Sequence, residues 1–214
     1  MMRLTLYGVT LLAFVFSISL AQESVRTILL PQPDTTGGKP LMQVLKERRT
    51  SRSFSEKQLP EQVMANMLWA AFGVNRPDGH RTAPSARNWQ EIDVYVATAD
   101  GLFLYDAKAH ALKQLTKDDI RRKTGTQDFV AAAPVTLVYV ADIAKTGVRG
   151  SDDQNLYFGA DCGFIAENVY LYCASEGLSV VVRARIDRAE LSKLMNLRPE
   201  QRIILGQTVG YPKQ

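Results

Sequence analysis

The chain has 214 residues, 46% of them hydrophobic and 22% charged, with a formal net charge of +4. That length and apolar content suit one domain with a sizeable core, and exclude disordered, collagen-like and repeat architectures. The 26 basic and 22 acidic residues are interspersed rather than gathered into runs, which points away from nucleic acid as a partner.

The N-terminus opens with Met1-Met2-Arg3, then an uncharged run from Leu4 to Leu20. Ser19 and Ala21 are small residues at the −3 and −1 positions of a cut after Ala21, so residues 1–21 are expected to be a signal peptide. The expected location is the periplasm. An uncleaved membrane anchor is the alternative, because the run is close to the shortest membrane span. No arginine pair precedes the run, which implies export as an unfolded chain.

Residues 22–39 carry turn chemistry at Pro31, Pro33 and Gly37-Gly38 and read as an N-terminal arm; residues 40–214 read as the domain. Pro40 suits the first turn of a helix ending near Arg49, with Leu41, Met42, Val44 and Leu45 as its apolar stripe. A second helix is expected over 61–74, with Val63, Met67, Ala70 and Ala71 on one face, followed by a polar loop to Gln90. Strands are expected over 92–100 and 102–107, joined by a tight turn at Asp100-Gly101. The nearly continuous apolar run 135–142 reads as a central strand. Residues 152–177 are apolar on almost every side, which marks a buried helix. A strand over 179–186, a helix over 187–196 opened by Asp187 and a final strand over 201–212 complete the chain. Helices before, between and after strands, with a hairpin inside, predict a three-layer α+β fold.

Cys162 and Cys173 fall in the same expected helix, eleven residues and about 16 Å apart. That exceeds the roughly 7 Å reach of a disulfide, so both read as buried small hydrophobes. His80 and His110 have no ligand spacing, and no metal site is expected.

Three stretches carry chemistry. In "LKERRTSRSF" the apolar stripe runs on into Arg48 and, one turn later, Arg52. Arginine on a buried register needs an anion, and its forked donors suit phosphate or carboxylate. The plain alternative is a helix that ends at Glu47 with arginines in water, and the stretch alone favours it. In "RTAPSARNWQ", Pro84 sets a turn, Ser85 offers a small donor, and the amides of Asn88 and Gln90 alternate along an extended stretch. Such amides could face a planar heterocycle or simply solvent. In "SVVVRARID", Arg183 and Arg185 share one side of the expected strand and Ala184 takes the other. Asp161 and Asn168 lie seven residues apart on one face of the preceding helix, where structural hydrogen bonding is the ordinary reading.

Taken in order, "RRTSRSF", "RTAPSARNWQ", "DCGFIAENVYLYCASEGL" and "GQTVGYP" resemble the nitroreductase-like flavoproteins. The lead-in 28–54 and the hairpin 102–115 resemble its compact branch related to the peptide-azoline oxidases. The resemblance spans residues 27–212. It implies a mostly antiparallel central sheet flanked by helices, an intertwined homodimer, and FMN bound at the dimer interface. By that resemblance Arg48, Arg49 and Thr50 contact the flavin phosphate, ribityl chain and pyrimidine edge, and Arg52 joins them as a cofactor-binding residue. Pro84, Ser85, Ala86 and Asn88 match the loop that reaches the flavin from the partner subunit. Ala184 and Arg185 fall where the family sets backbone against flavin N5. The implied reaction is two-electron transfer through FMN to or from a small organic substrate, with no essential acid or base from the protein. A non-catalytic exported flavin-binding protein is the alternative, and a scaffold whose arginines meet anionic surfaces is a third reading.

The chain also departs from the family. The basic residue that many relatives place after the last strand has only Lys213 as a counterpart. Ala184-Arg185 stands where an acidic residue or Gly is usual, so Arg183 and Arg185 are either substrate candidates that favour an anion or partners of carboxylates at the dimer interface. Segment 147–155 lacks the covering helices of larger relatives, implying an open pocket. Export would separate the protein from soluble NAD(P)H, which leaves three readings open: the signal assignment fails, the donor is a quinol or a redox partner at the membrane or in the periplasm, or flavin is bound without turnover.

Overall fold

A computed structural model describes residues 26–213; the expected signal segment 1–21 lies outside them. In chain order the elements are β1 (Thr27–Leu29), α1 (Leu41–Glu47), α2 (Glu61–Phe72), β2 (Ile92–Thr98), β3 (Gly101–Asp106) and β4 (Ala111–Thr116). There follow β5 (Val135–Asp142), α3 (Ser151–Glu176), β6 (Ser179–Arg183), α4 (Arg188–Leu194) and β7 (Gln201–Gly210).

Seven strands form one sheet in the order β1-β4-β3-β2-β5-β7-β6, and each paired neighbour is antiparallel. β5 is buried along its whole length because it lies between β2 and β7 with both faces covered, which explains its nearly continuous apolar run. On β2, Val94 and Val96 point into one core with Met67, Leu68, Phe158 and Ile165 of the helices. Tyr95 and Ala97 point into a second core with Ile186, Leu191 and Met195. This period-2 alternation puts α2 and α3 on one face and α4 on the other, giving a three-layer α+β domain. Burying a side chain such as Phe158 is worth about 2–3 kcal/mol.

The hairpin turn between β2 and β3 pairs Thr98 with Gly101. Gly101 has φ +129°, and a Cβ there would stand 2.0 Å from the Thr116 carbonyl oxygen, so only glycine fits. β1 and β4 were not separate elements in the sequence reading. The arm contributes the edge strand β1, which pairs Thr27–Leu29 with Ala111–Lys113 of β4. The rest of the arm lies on the helices: Asp34 N–H donates to Asn66 Oδ1, and Lys39 N–H donates to Ser175 Oγ.

Four boundaries or faces differ from expectation. α1 stops at Glu47, and Pro40 caps it rather than opening its first turn. Of its stripe only Val44 is buried; Leu41, Met42 and Leu45 are 63%, 76% and 47% exposed. α3 is not buried all round: Leu156, Gly159, Ala160, Gly163 and Phe164 form an exposed, uncharged face opposite the core. β6 ends at Arg183 rather than Ile186. Beyond it the Ala184 and Arg185 carbonyls leave the ladder and accept from Arg188 Nη1 and Thr126 N–H.

Candidate functional site

The stretch after α1 leaves the helix to run beside β6. Ser51 N–H donates to the Val180 carbonyl, and Ser179 Oγ donates to Ser51 Oγ at 3.1 Å. That strand-like bond pulls the chain away from its helical path at Arg48. Tyr170 of α3 then joins three pieces. Its hydroxyl accepts from Val182 N–H at 2.9 Å and lies 3.0 Å from Thr50 Oγ1, while the Arg48 guanidinium sits 5.3 Å from its ring centroid. A cation over an aromatic face at that distance is held by the ring quadrupole.

Beside this junction opens a cavity of about 550 Å³. Lys39, Lys46, Arg48 and Arg49 line it with a single carboxylate, Glu47, and Ser51 and Ser179 supply hydroxyls. Glu47 is already engaged by Lys39 at 2.7 Å, which pulls its carboxyl below the ordinary range. The remaining cations have no carboxylate in the cavity, so the site fits a phosphate-bearing anion. Arg49 and Arg52 are exposed beside it.

The segment Pro84–Gln90 is held differently. Arg87, Asn88 and Gln90 have φ of 50°, 55° and 50°, a left-handed conformation that costs about 1 kcal/mol or more for each non-glycine residue. Side chains behind the segment hold it: Gln90 N–H donates to Ser85 Oγ at 2.8 Å, and Ala86 N–H to Asp161 Oδ2 at 2.9 Å. Pro84 and Asn88 are exposed; Ser85 and Ala86 are half-buried. The expectation that the Asn88 and Gln90 amides face outward together is corrected. Gln90 Nε2 donates to Asn88 Oδ1 and to the Gly79 carbonyl, and Gln90 Oε1 accepts from Arg81, so the Gln90 amide is consumed within the loop.

Ser85 Oγ in turn donates to Glu91 Oε2 at 3.1 Å. Glu91 is fully buried beside Asp161, itself 3% exposed. Burial, reinforced by the Asp161 charge and contact, pushes the Glu91 carboxyl up to about 7.

At the end of β6 the two arginines part. Arg185 and Ala184 are exposed, whereas Arg183 is 4% exposed. Arg183 donates to Thr208 Oγ1 at 2.9 Å and to the Thr124 carbonyl at 2.8 Å, and desolvation lowers its guanidinium to about 10. Its forked head is consumed inside the sheet layer, which corrects its assignment to substrate. Both cysteines are free and buried, and burial raises both thiols. Both histidines are engaged: His110 bridges Tyr105 and Pro31, and His80 pairs with Asp78.

The fold therefore brings Arg48 and Arg49 to one cavity at the start of β6, with Thr50 held against Tyr170. It keeps Pro84–Asn88 apart from them. The loop hangs on Asp161 and the arginine stretch on Tyr170, nine residues and about 13 Å further along α3. Tyr170, Lys39, Lys46 and Glu91 were missed as site residues. Only Glu91 left a signal, an acid immediately before the strand β2.

The family profile of the nitroreductases matches residues 45–211, and the chain belongs to the nitroreductase family. A crystal structure from Ralstonia eutropha, provisionally named a nitroreductase, is 43% identical and superposes with a TM-score of 0.84, covering 88% of this chain and 90% of that one. A provisionally named nitroreductase of Methanocaldococcus jannaschii is 26% identical over 168 residues, 74% of this chain and 85% of the relative. The fold is also shared, at 18% identity and a TM-score of 0.61, with a Desulfovibrio desulfuricans protein solved in complex with FMN; the match covers 83% of this chain and 89% of that one.

Proposed function

We propose that the protein is an FMN-dependent oxidoreductase that moves two electrons to or from a small organic substrate and works as a homodimer. The observation that carries this reading is the cation-rich cavity built on Arg48 and Arg49, within the stretch that matches the nitroreductase family. Arg48, Arg49 and Lys46 would hold the phosphate end of FMN there, with Thr50 fixed by Tyr170 and Arg52, exposed four residues beyond Arg48, as a further cofactor-binding residue. FMN supplies the two-electron chemistry, which no side chain of this chain could provide. The protein's part is to bind, orient and polarise. Arg48, restrained by the Tyr170 ring, keeps positive charge where reduction builds negative charge. Ala184 and Arg185, exposed just beyond β6, are the residues that would meet the N5 edge by the family resemblance, and Arg185 would draw in an anionic substrate.

The dimer is supported by two features. Pro84–Asn88 is far along α3 from the arginine cavity of its own chain, which suits a loop that completes a partner's site. The apolar faces of α1 (Leu41, Met42, Leu45) and α3 (Leu156, Phe164) are open on the single chain. With residues 1–21 as a signal peptide the protein is exported to the periplasm, and its electron donor is a quinol or redox partner rather than soluble NAD(P)H.

The test is anaerobic. Protein loaded with FMN is reduced, then mixed with organic acceptors in the absence of oxygen. Reoxidation whose rate depends on the acceptor supports an oxidoreductase; a rate indifferent to every acceptor leaves only flavin binding. Arg48→Ala should weaken FMN binding by about 10- to 100-fold, the worth of a charged hydrogen bond, without unfolding the protein. Unchanged FMN affinity would remove Arg48 from the site.

A further inference from the structure

We propose that Glu91 and Asp161 share one proton, and that this proton positions the segment Pro84–Gln90; the role toward flavin rests on the reading above, in which that segment completes the partner's FMN site. Both carboxyls are buried, and each is tied to the segment by its own bond: Ser85 Oγ donates to Glu91 Oε2, and Ala86 N–H donates to Asp161 Oδ2. Glu91 Oε1 is buried and receives no donor, and Asp161 lies in contact with the Glu91 carboxyl. Among the described residues no lysine, arginine or histidine pairs with either carboxyl. A buried pair of carboxylates without a cation is relieved by holding one proton between them.

The groups around Glu91 are few. From α3 come Asp161 and the Cys162 thiol, itself raised by burial; from the loop comes the Ser85 hydroxyl. Asp142 on β5, whose N–H donates to the Glu91 carbonyl, is neutralised by Arg198, and Asp93, two residues along β2, by Lys145. None of these supplies a compensating charge. Loss of the shared proton therefore sets two negative charges against each other, and both hold neighbouring residues, Ser85 and Ala86, at the start of a loop whose Arg87, Asn88 and Gln90 are already strained.

The folded-state value of Glu91 is raised from its ordinary 4.5 to about 7, so the folded protein binds this proton more tightly than the unfolded chain. Its contribution to stability is complete below pH 4.5, is lost as pH rises toward 7, and is absent above that. Glu91→Gln substitutes an amide that donates to the Asp161 carboxylate at any pH. It should stay folded and lose the pH dependence. Asp161→Asn tests the same pair from the other side.

The experiment measures melting temperature without FMN and FMN affinity by fluorescence quenching, each from pH 5 to 9, for wild type and both variants. The stability of Glu91→Gln relative to wild type should rise between pH 5 and 7 and then level. FMN affinity of wild type should fall at pH 8.5 relative to pH 6 by about fivefold or more against the same ratio in Glu91→Gln, a difference that cancels titration of FMN itself. Parallel stability profiles in wild type and both variants would overturn the shared proton. A changed stability profile with parallel FMN profiles would overturn the positioning role. If neither protein binds FMN, the proposed function fails, and the stability profile alone decides whether the pair shares its proton.

Discussion

Tyr170 shows how one side chain carries several duties. Its hydroxyl is the acceptor for Val182 N–H and the neighbour of Thr50, and its ring carries Arg48. Tyr170→Phe keeps the ring but leaves a half-buried backbone donor unpaired, so it should cost about 1–2 kcal/mol in urea unfolding and weaken FMN binding while preserving the Arg48 contact. Equal loss of FMN affinity in Tyr170→Phe and Arg48→Ala would show that the hydroxyl, not the ring, sets the arginine. The arginine pair at 183 and 185 makes the opposite lesson. Spacing alone puts both on one side of a strand, but the strand ends at Arg183, and only Arg185 reaches solvent. Arg185→Ala should raise the KM for anionic substrates several-fold relative to neutral ones. Arg183→Met should destabilise the fold, by about 1–3 kcal/mol, because Thr124 and Thr208 lose their donor, and should leave anion preference unchanged. Arg48 and Arg52 drew attention because they continue an apolar stripe, but α1 stops at Glu47 and only Val44 of that stripe is buried, so the helix ends where the plain alternative put it. Tyr170 drew none, because a tyrosine in an apolar helix looks like any core aromatic until its partners are known.

Among the elements, those with a strong local signal are where the sequence placed them. β5 is a nearly continuous apolar run, and α4 is capped by Asp187, whose carboxylate accepts from Glu190 N–H at 3.0 Å. Asp187→Ala should cost about 1 kcal/mol, read as a shift in the urea midpoint. α3 ends at Gly177 in a left-handed cap with φ 70°, and Gly177→Ala should cost roughly another 1 kcal/mol with no change in the slope of unfolding. Elements with weak signals were lost. β1 has only three residues, and β4 mixes buried Leu112 and Gln114 with exposed Lys113 and Leu115, so neither stands out as a strand. α3 misled for a physical reason: a helix apolar on all sides need not be buried on all sides within its own chain. Its open face becomes intelligible only at the next scale.

For the whole molecule the three-layer order could be read from helices placed before, between and after strands, and the structure builds it on the two faces of β2. The separation of the Pro84–Asn88 loop from the Arg48 cavity could not, because it depends on how far apart Asp161 and Tyr170 lie on a helix that serves both. In the proposed dimer that separation is spanned by the second copy. Leu156→Glu with Phe164→Glu should convert the protein to a monomer by gel filtration, keep its secondary structure, and weaken FMN binding together with dimerisation. A double variant that stays dimeric would move the interface away from α3. A monomer with full FMN affinity would show that each chain completes its own site.

The most direct measurement is the visible absorption spectrum of the protein, purified and then mixed with FMN and passed through gel filtration. The account predicts flavin bands shifted from those of free FMN, retained at one FMN per chain in the dimer peak and lost in Arg48→Ala. A colourless protein that elutes free of added FMN would contradict it, and would leave the cavity beside Arg48 as a basic surface for some other anion.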